Sequence, residues 1–152
     1  AVVRYLDNVK RVLAEIKLSS ESAIQKSHTR IHGDCHLGNI LWTDQGPTFL
    51  DFDDFVMGPA VQDIWLIVRG RDEQAMKDRD TLLSGYEQMR SFDRTSLSLI
   101  EHLRMLRMIH YNAWIARRWA DPIFKQMFPA FTTLRHWTEE SEALYQVTHQ
   151  YN

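Results

Sequence analysis

The arrangement of extended and helical segments along this chain restricts the folds that it can adopt. Three short segments rich in large apolar residues, "RIH" (30–32), "NILW" (39–42) and "TFLDF" (48–52), are separated by turn residues and are typical of short β-strands. The sequence on either side of them follows the three-and-four spacing of amphipathic helices. The pattern therefore predicts an α+β fold that is mainly α-helical, with a small β-hairpin around the turn "TDQGP" (43–47).

The first helical segment carries an apolar stripe that we expect to face the core. Its members recur at steps of three and four, and they are Val2, Leu6, Val9, Leu13 and Ile16. The serine-rich "SSES" (19–22) is expected to end this helix. The chain begins at Ala1, already inside the helical pattern and without a capping residue, so we expect it to be a piece of a longer protein.

The segments after Ala60 predict further helices and one domain. They lie around "IWLIV" (64–68) and at about 72–89, 93–119 and 134–150. The sequence contains no repeat and no flexible linker, and its length suits one hydrophobic core. We therefore expect residues 1–152 to form a single domain.

The composition excludes several classes of protein. Eighteen basic and 20 acidic residues give a net charge of −2, which does not indicate nucleic-acid binding. The longest apolar runs, such as "IWLIV", are too short to cross a membrane, and no signal peptide is recognisable. The single cysteine, Cys35, excludes an internal disulfide and fits a reducing compartment, so we expect a cytoplasmic protein.

The loop "HGDCHLGN" (32–39) has the spacing of a kinase catalytic loop, H-x-D-x-x-x-x-N. In such a loop Asp34 would orient an acceptor hydroxyl and take its proton, while Asn39 would offer an amide oxygen to a metal ion. Gly33 allows a sharp bend just before the base. The lone thiol of Cys35 has no separate His–acid pair near it in sequence and is interpreted as a small residue filling the loop.

The second polar cluster is "DFDD" (51–54), at the end of a predicted strand. The hairpin before it would return Asp51 to the neighbourhood of Asn39, so the sequence predicts a magnesium site formed by these two residues. Asp53 is a further candidate ligand. Asp54 is left open, with a solvated turn residue as the simpler interpretation.

Two other functions fit parts of the same stretch. His32, Asp34 and His36 have the alternate spacing of an H-x-D-x-H zinc site in a metal-dependent hydrolase. Gly33 favours a loop here instead of a strand, and Asn39 is a poor zinc ligand, which weighs against that alternative. A non-catalytic binding module on the same fold is the second alternative.

Three motifs taken together resemble the aminoglycoside phosphotransferase and choline kinase superfamily, whose members are relatives of the protein kinases. They are "HGDCHLGNILW" (32–42), "FLDFDD" (49–54) and "GPAVQDIW" (58–65). The resemblance implies a kinase that uses ATP and Mg²⁺, with Asp34 as the catalytic base and with Asn39 and Asp51 as magnesium ligands. It also implies that His32 shapes the catalytic loop and that Asp63 supports it from a helix start, although an acidic residue is favoured there in any helix.

The segment "YNAWIARRWADPIFKQMFP" (111–129), together with "GPAVQDIW" (58–65), resembles one branch of that superfamily, bacterial Ser/Thr protein kinases of stress responses. This resemblance implies a protein Ser/Thr acceptor, whereas the superfamily at large phosphorylates small alcohols such as aminoglycosides, choline or homoserine. Both acceptor classes stay open. Arg117 and Arg118 fit either solvated helix residues or substrate contacts.

The sequence carries no Gly-rich phosphate loop and no Val-Ala-x-Lys strand ahead of His32. The resemblance therefore implies the C-terminal, large lobe of a protein-kinase-like fold, whose partner is the N-terminal lobe of the same protein. The nucleotide-binding residues stay unknown. We expect the isolated chain to be inactive and to expose an apolar surface where the other lobe packs.

Overall fold

The computed structural model describes the backbone of residues 1–26 and 28–150 and the side chains of residues 1–17 and 28–148. The described residues form α-helices and short antiparallel strands, which confirms the predicted, mainly helical α+β fold. In chain order the elements are α1 (Val2–Lys26), β1 (His28–Ile31), β2 (Ile40–Thr43), β3 (Gly46–Phe49), β4 (Val56–Pro59), α2 (Val61–Ile67), α3 (Glu73–Glu87), α4 (Ile100–Arg117), α5 (Pro122–Met127) and α6 (Leu134–Gln150). Short 3₁₀ helices lie at Leu37–Asn39, Phe52–Asp54, Arg94–Leu99 and Pro129–Thr132.

The chain divides into two compact units. The helical unit comprises Ala1–Glu21 and Glu101–Asn152. Its core is drawn from α1, α4 and α6, and its buried members are Tyr5, Val12, Ile16, Met105, Leu144 and Val147. The rings of Tyr5 and Trp137 meet edge to face, with their centroids 5.0 Å apart.

The buried face of α1 differs from the predicted stripe. Val2, Leu6 and Leu13 are 45%, 49% and 44% exposed. A polar residue explains the difference, because Asn8 is buried and its Nδ2 donates to the carbonyl (3.1 Å) and Oγ (3.0 Å) of Ser141. Burying a polar side chain costs little free energy when it is hydrogen-bonded, so the helix can turn the face with Asn8 toward the core.

The helix α1 also continues through "SSES" to Lys26, so the predicted end of the helix was wrong. Serine in a helix interior costs only about 0.5 kcal/mol relative to alanine. The residues that follow, "AIQK" (23–26), include good helix formers. Continuing an existing helix is therefore easier than ending it and nucleating a second one.

The second unit, Ser22–Ile100, holds two small antiparallel sheets. Strands β2 and β3 form the predicted hairpin, with Ile40 opposite Phe49 and Thr43 opposite Gly46, whose φ is +108°. Strand β4 pairs with β1 and was not predicted. Its "MGP" (57–59) is typical of a turn, but a two-stranded sheet has a free edge on each strand and tolerates proline there.

Helices α2 and α3 complete this unit. The apolar body of α2 is buried through Val61, Ile64, Trp65 and Leu66. Helix α3 begins after Asp72, whose Oδ1 accepts the backbone N–H of Ala75 at 2.8 Å. The segment predicted as a helix at 93–119 starts as the 3₁₀ turns Arg94–Leu99 and becomes α-helical at Ile100.

Across the residues that the structure describes, no helix combines the length and the apolar character that crossing a membrane requires.

Candidate active site

The loop after β1 is fixed to the first turn of α2 by Asp63. Its Oδ2 accepts the backbone N–H of His32 at 2.8 Å, and its Oδ1 accepts that of Gly33 at 3.0 Å. Gln62 adds a third bond by donating from Nε2 to the Gly33 carbonyl at 3.1 Å, and Trp65 Nε1 donates to Gln62 Oε1 at 3.0 Å. The first turn of α2 therefore fixes the position of the start of the loop.

Burial raises the pKa of Asp63 above its ordinary value. The two N–H bonds from His32 and Gly33 favour the carboxylate and oppose this shift, and the nearby Asp34 charge adds to it. Removing the carboxylate from water is the largest of these effects, so the direction is upward.

The two polar motifs touch each other through Gly33. This residue has φ +86°, and a Cβ placed on it would lie 2.2 Å from the backbone oxygen of Asp54. Only glycine permits both the positive φ and the approach. The ring of His32 joins the motifs a second time, since its Nε2 donates to the Leu50 carbonyl at 2.8 Å and its centroid lies 4.5 Å from that of Phe52.

Asn39 and Asp51 are brought to neighbouring positions at the open end of the hairpin. The backbone N–H of Leu50 donates to the Asn39 carbonyl at 2.9 Å, which extends the β2–β3 pairing by one step. Asn39 Nδ2 donates to the Asp34 carbonyl at 3.0 Å, so its Oδ1 is the end of the amide that can act as a ligand. Amide and carboxylate oxygens are ligands that Mg²⁺ prefers, so the donor types of Asn39 and Asp51 suit such an ion.

Asp51 has a left-handed backbone conformation, which residues other than glycine rarely adopt. Its φ and ψ are 61° and 68°, and among the described residues it is the only non-glycine with a positive φ. This conformation costs on the order of 1–2 kcal/mol for an L residue. Strain of this kind is concentrated at functional sites, where the neighbouring structure enforces it.

Asp53 and Asp54 are exposed within the 3₁₀ turn Phe52–Asp54. For Asp54 it is the backbone oxygen, close to Gly33, that takes part in the contact between the motifs. Arg117 is the last residue of α4, and the guanidinium of Arg118 lies 4.9 Å from the ring centre of Trp114. These arginines belong to the helical unit.

The loop residues around Asp34 are tightly connected. Asp34 and His36 retain 22% and 29% exposure of their side chains, and Asp34 Oδ2 lies 3.5 Å from His36 Nε2. Cys35 between them is buried, and burial, followed by the charges of Asp63 and Asp34, raises its pKa to about 11. The thiol is therefore neutral at physiological pH and is not poised as a nucleophile.

The zinc alternative loses its geometric basis. Strand β1 ends at Ile31 and Gly33 has a positive φ, so residues 32, 34 and 36 are not alternate residues of a strand. His32 Nε2 is occupied by the Leu50 carbonyl. Within the residues that the structure describes, no three His, Cys, Asp or Glu side chains are grouped so that they could hold a metal ion.

The sequence pattern did not single out Gln62, which joins the loop to α2. It also did not single out Leu50 and Phe52, which hold the second motif against the loop. Gln62 directly precedes Asp63 in "GPAVQDIW", and this adjacency was the one available signal. The Leu50 contact uses a backbone carbonyl, which no residue type encodes.

Comparison with known proteins gives a consistent set of similarities. Residues 4–100 match the sequence profile of the Phosphotransferase enzyme family (APH). The chain is 46% identical over 112 residues to stress response kinase A of Escherichia coli (strain K12), covering 74% of this chain and 34% of that protein. It is 42% identical over 119 residues to a Salmonella typhimurium (strain LT2) protein named serine/threonine protein kinase RdoA, covering 78% of this chain and 36% of that protein. The chain thus spans about a third of the length of these curated relatives.

Proposed function

Because the chain belongs to the Phosphotransferase enzyme family, we propose that the protein containing it transfers the γ-phosphoryl group of ATP to an alcohol in a magnesium-dependent reaction. The observation that carries this proposal is the contact between the two motifs. Through Gly33 and the ring of His32, the loop with Asp34 and Asn39 is held against the segment that begins at Asp51.

In this reaction Asp34 orients the acceptor hydroxyl and accepts its proton. The hydroxyl oxygen forms the new bond to the γ-phosphorus, the bond to the bridging oxygen breaks, and ADP leaves with that oxygen. Asn39 Oδ1 and the Asp51 carboxylate would hold Mg²⁺, which when bound neutralises charge on the phosphates. Asp63 and His32 keep these groups in place through their bonds to the loop and to Leu50.

The acceptor we favour is a Ser or Thr hydroxyl of a protein, because one similar protein is named a serine/threonine protein kinase and others a stress response kinase. A small alcohol is the second candidate. It is favoured by a cavity of about 350 Å³ beside the loop. Its lining residues are His36, Leu37, Gly38, Leu66, Ile67 and Arg69. A volume of this size suits a small ligand.

We further propose that residues 1–152 act as the large lobe of a two-lobed enzyme whose other lobe completes the ATP site. Large apolar side chains around the hairpin and the second motif support this, since they lie exposed beside the proposed magnesium ligands. They include Leu41 (53%), Trp42 (72%), Phe52 (54%), Phe55 (54%) and Met57 (55%). Large apolar side chains exposed in this number favour a surface that another body covers.

Substitution of the base tests the proposed reaction. In the full-length protein, Asp34→Asn should lower turnover by about 10²–10⁴-fold while ATP binding is kept, because only the proton acceptor is lost. Asp44→Asn, at an exposed turn of the hairpin, is the matched control and should leave turnover unchanged. Activity is followed with radiolabelled ATP, comparing protein acceptors with small alcohols. Normal turnover by the Asp34→Asn protein would refute the assignment of Asp34.

Calorimetry tests the two-lobe proposal. The 152-residue chain titrated with Mg·ATP should give no heat of binding at micromolar concentrations, whereas the full-length protein should bind. Micromolar affinity of the 152-residue chain would contradict the proposal.

A further inference from the structure

The ring of His36 is held between two partners of the catalytic loop. Its Nδ1 accepts the backbone N–H of Gly38 at 3.0 Å, and its Nε2 lies 3.5 Å from Asp34 Oδ2. A backbone N–H can only donate, so Nδ1 must carry a lone pair. In the neutral ring the proton is then on Nε2, the atom that faces the Asp34 carboxylate.

Gly38 fixes the ring from the other side. A Cβ on Gly38 would lie 2.8 Å from His36 Cε1 and 3.0 Å from His36 Nδ1, so the ring is in close contact with the glycine backbone. Two backbone hydrogen bonds also fix the chain around the ring. The N–H of His36 donates to the Asp34 carbonyl and the N–H of Asn39 donates to the His36 carbonyl, both at 2.8 Å. The imidazole is therefore a fixed part of the loop that also holds Asp34.

We propose that His36 is a positioning residue for Asp34: its neutral ring, oriented by Gly38, donates from Nε2 to Asp34 Oδ2 and fixes the rotation of the carboxylate that receives the acceptor proton. This inference rests on the proposed function, in which Asp34 is the base. In this proposal Asp34, and not His36, takes the proton of the acceptor. The distance of 3.5 Å between these atoms is longer than an ordinary N–H···O hydrogen bond. The proposal therefore requires the two groups to approach when substrate is bound, as catalytic groups commonly do.

Two substitutions separate the two ends of the ring. In His36→Asn the amide oxygen can still accept the Gly38 N–H, but no donor reaches Asp34. In His36→Gln the longer side chain can place an amide N–H where Nε2 now lies. A purely structural role predicts that Asn is tolerated better than Gln, and a positioning role predicts the opposite for catalysis.

Steady-state kinetics on the full-length protein provide the first test. We expect His36→Asn to lower kcat by about 10–100-fold with little change in the KM for ATP, because a carboxylate misplaced by a fraction of an ångström reacts slowly. His36→Gln should recover most of the lost kcat. Gly38→Ala, which crowds the ring and leaves Asp34 untouched, should also lower kcat. His110→Gln, at an exposed position of α4, is the control and should behave as the wild type.

Unchanged kcat in His36→Asn would overturn the inference, as would equal loss in the Asn and Gln variants when both are folded. Nitrogen NMR of the His36 ring in the full-length protein gives a readout that does not depend on activity. It should show the proton on Nε2 and a shift of that resonance in Asp34→Asn, and a proton on Nδ1 would refute the inference. If the wild type transfers no phosphoryl group, the proposed function fails, and the NMR result still decides whether His36 donates to Asp34.

Discussion

The approach of Gly33 to the second motif can be measured by comparing two glycine substitutions. Gly33 and Gly46 both have positive φ, +86° and +108°, but a Cβ on Gly46 meets nothing within 4 Å, whereas one on Gly33 would lie 2.2 Å from the Asp54 oxygen. Alanine at either position introduces backbone strain on the order of 1–2 kcal/mol. The difference between the two variants therefore isolates the contact between the motifs.

The size of that difference follows from the bonds that must be broken. To admit the new methyl group, the segment around Asp54 has to move away by about 1 Å to reach normal van der Waals contact. This movement disrupts the His32–Leu50 hydrogen bond, worth about 1 kcal/mol, and the His32–Phe52 ring contact, worth about 0.5–1.5 kcal/mol. Gly33→Ala should thus destabilise the fold by about 2 kcal/mol more than Gly46→Ala.

Urea unfolding followed by tryptophan fluorescence is the assay. With a slope of about 1–3 kcal/mol/M, a difference of 2 kcal/mol separates the two midpoints by about 1 M. The full-length Gly33→Ala protein should also lose phosphotransfer, while Gly46→Ala should keep it. Equal midpoints for the two variants would show that the contact does not hold the motifs together.

The other predictions concern three single side chains. Asp51→Gly should leave the free energy of unfolding unchanged or raise it by up to about 1 kcal/mol in urea titration, because glycine adopts this positive φ without strain, while activity of the full-length protein falls; a loss of stability would contradict the strain. Cys35 should react with a thiol reagent at pH 8 only after unfolding, since a pKa of about 11 leaves about one thiolate in a thousand, and rapid reaction of the native thiol would refute this. Asp63→Asn should destabilise the fold by about 1–3 kcal/mol in chemical unfolding, because its amide N–H₂ must face one of the two backbone donors, His32 or Gly33; a change below about 0.5 kcal/mol would contradict this role. Folding raises the pKa of Asp63, so the protonated group stabilises the fold at pH values below the ordinary pKa, and this stabilisation is lost as pH rises through the folded pKa. The difference in free energy of unfolding between the wild type and Asp63→Asn should therefore shrink as pH rises over that range. A difference that grows with pH would contradict this direction.

Much of the fold could be predicted because the relevant signals are local. The hairpin follows from turn residues between two short apolar runs, and the last helix begins at Leu134 as its periodicity predicts. Strand β4 was missed because its Gly and Pro are turn formers, and its pairing with β1 is non-local. The apolar stripe predicted for α1 was correct at Val9 and Ile16 and wrong at Val2, Leu6 and Leu13. The buried face includes Asn8, which bonds to Ser141, 133 residues away in sequence.

The candidate site was likewise predictable only where the signal is local in sequence. The spacing of Asp34, Asn39 and Asp51 is a linear pattern, so it named candidate residues whose catalytic roles stay predictions. The contacts that hold the two motifs together use backbone atoms: His32 donates to the Leu50 carbonyl, and Gly33 lies close to the backbone oxygen of Asp54. Backbone atoms are the same in every residue, so the sequence carries no signal for these partners.

The ring of His32 has a consequence for the design of inhibitors. A compound that binds by turning residues 50–54 away from the catalytic loop must first break the bond to Leu50 and the ring contact with Phe52. These contacts together amount to about 2 kcal/mol, which lowers the apparent affinity of such a compound by about 30-fold. A compound that binds without moving residues 50–54 away from the catalytic loop avoids this loss. The site with both segments in contact is therefore the better target for inhibitors.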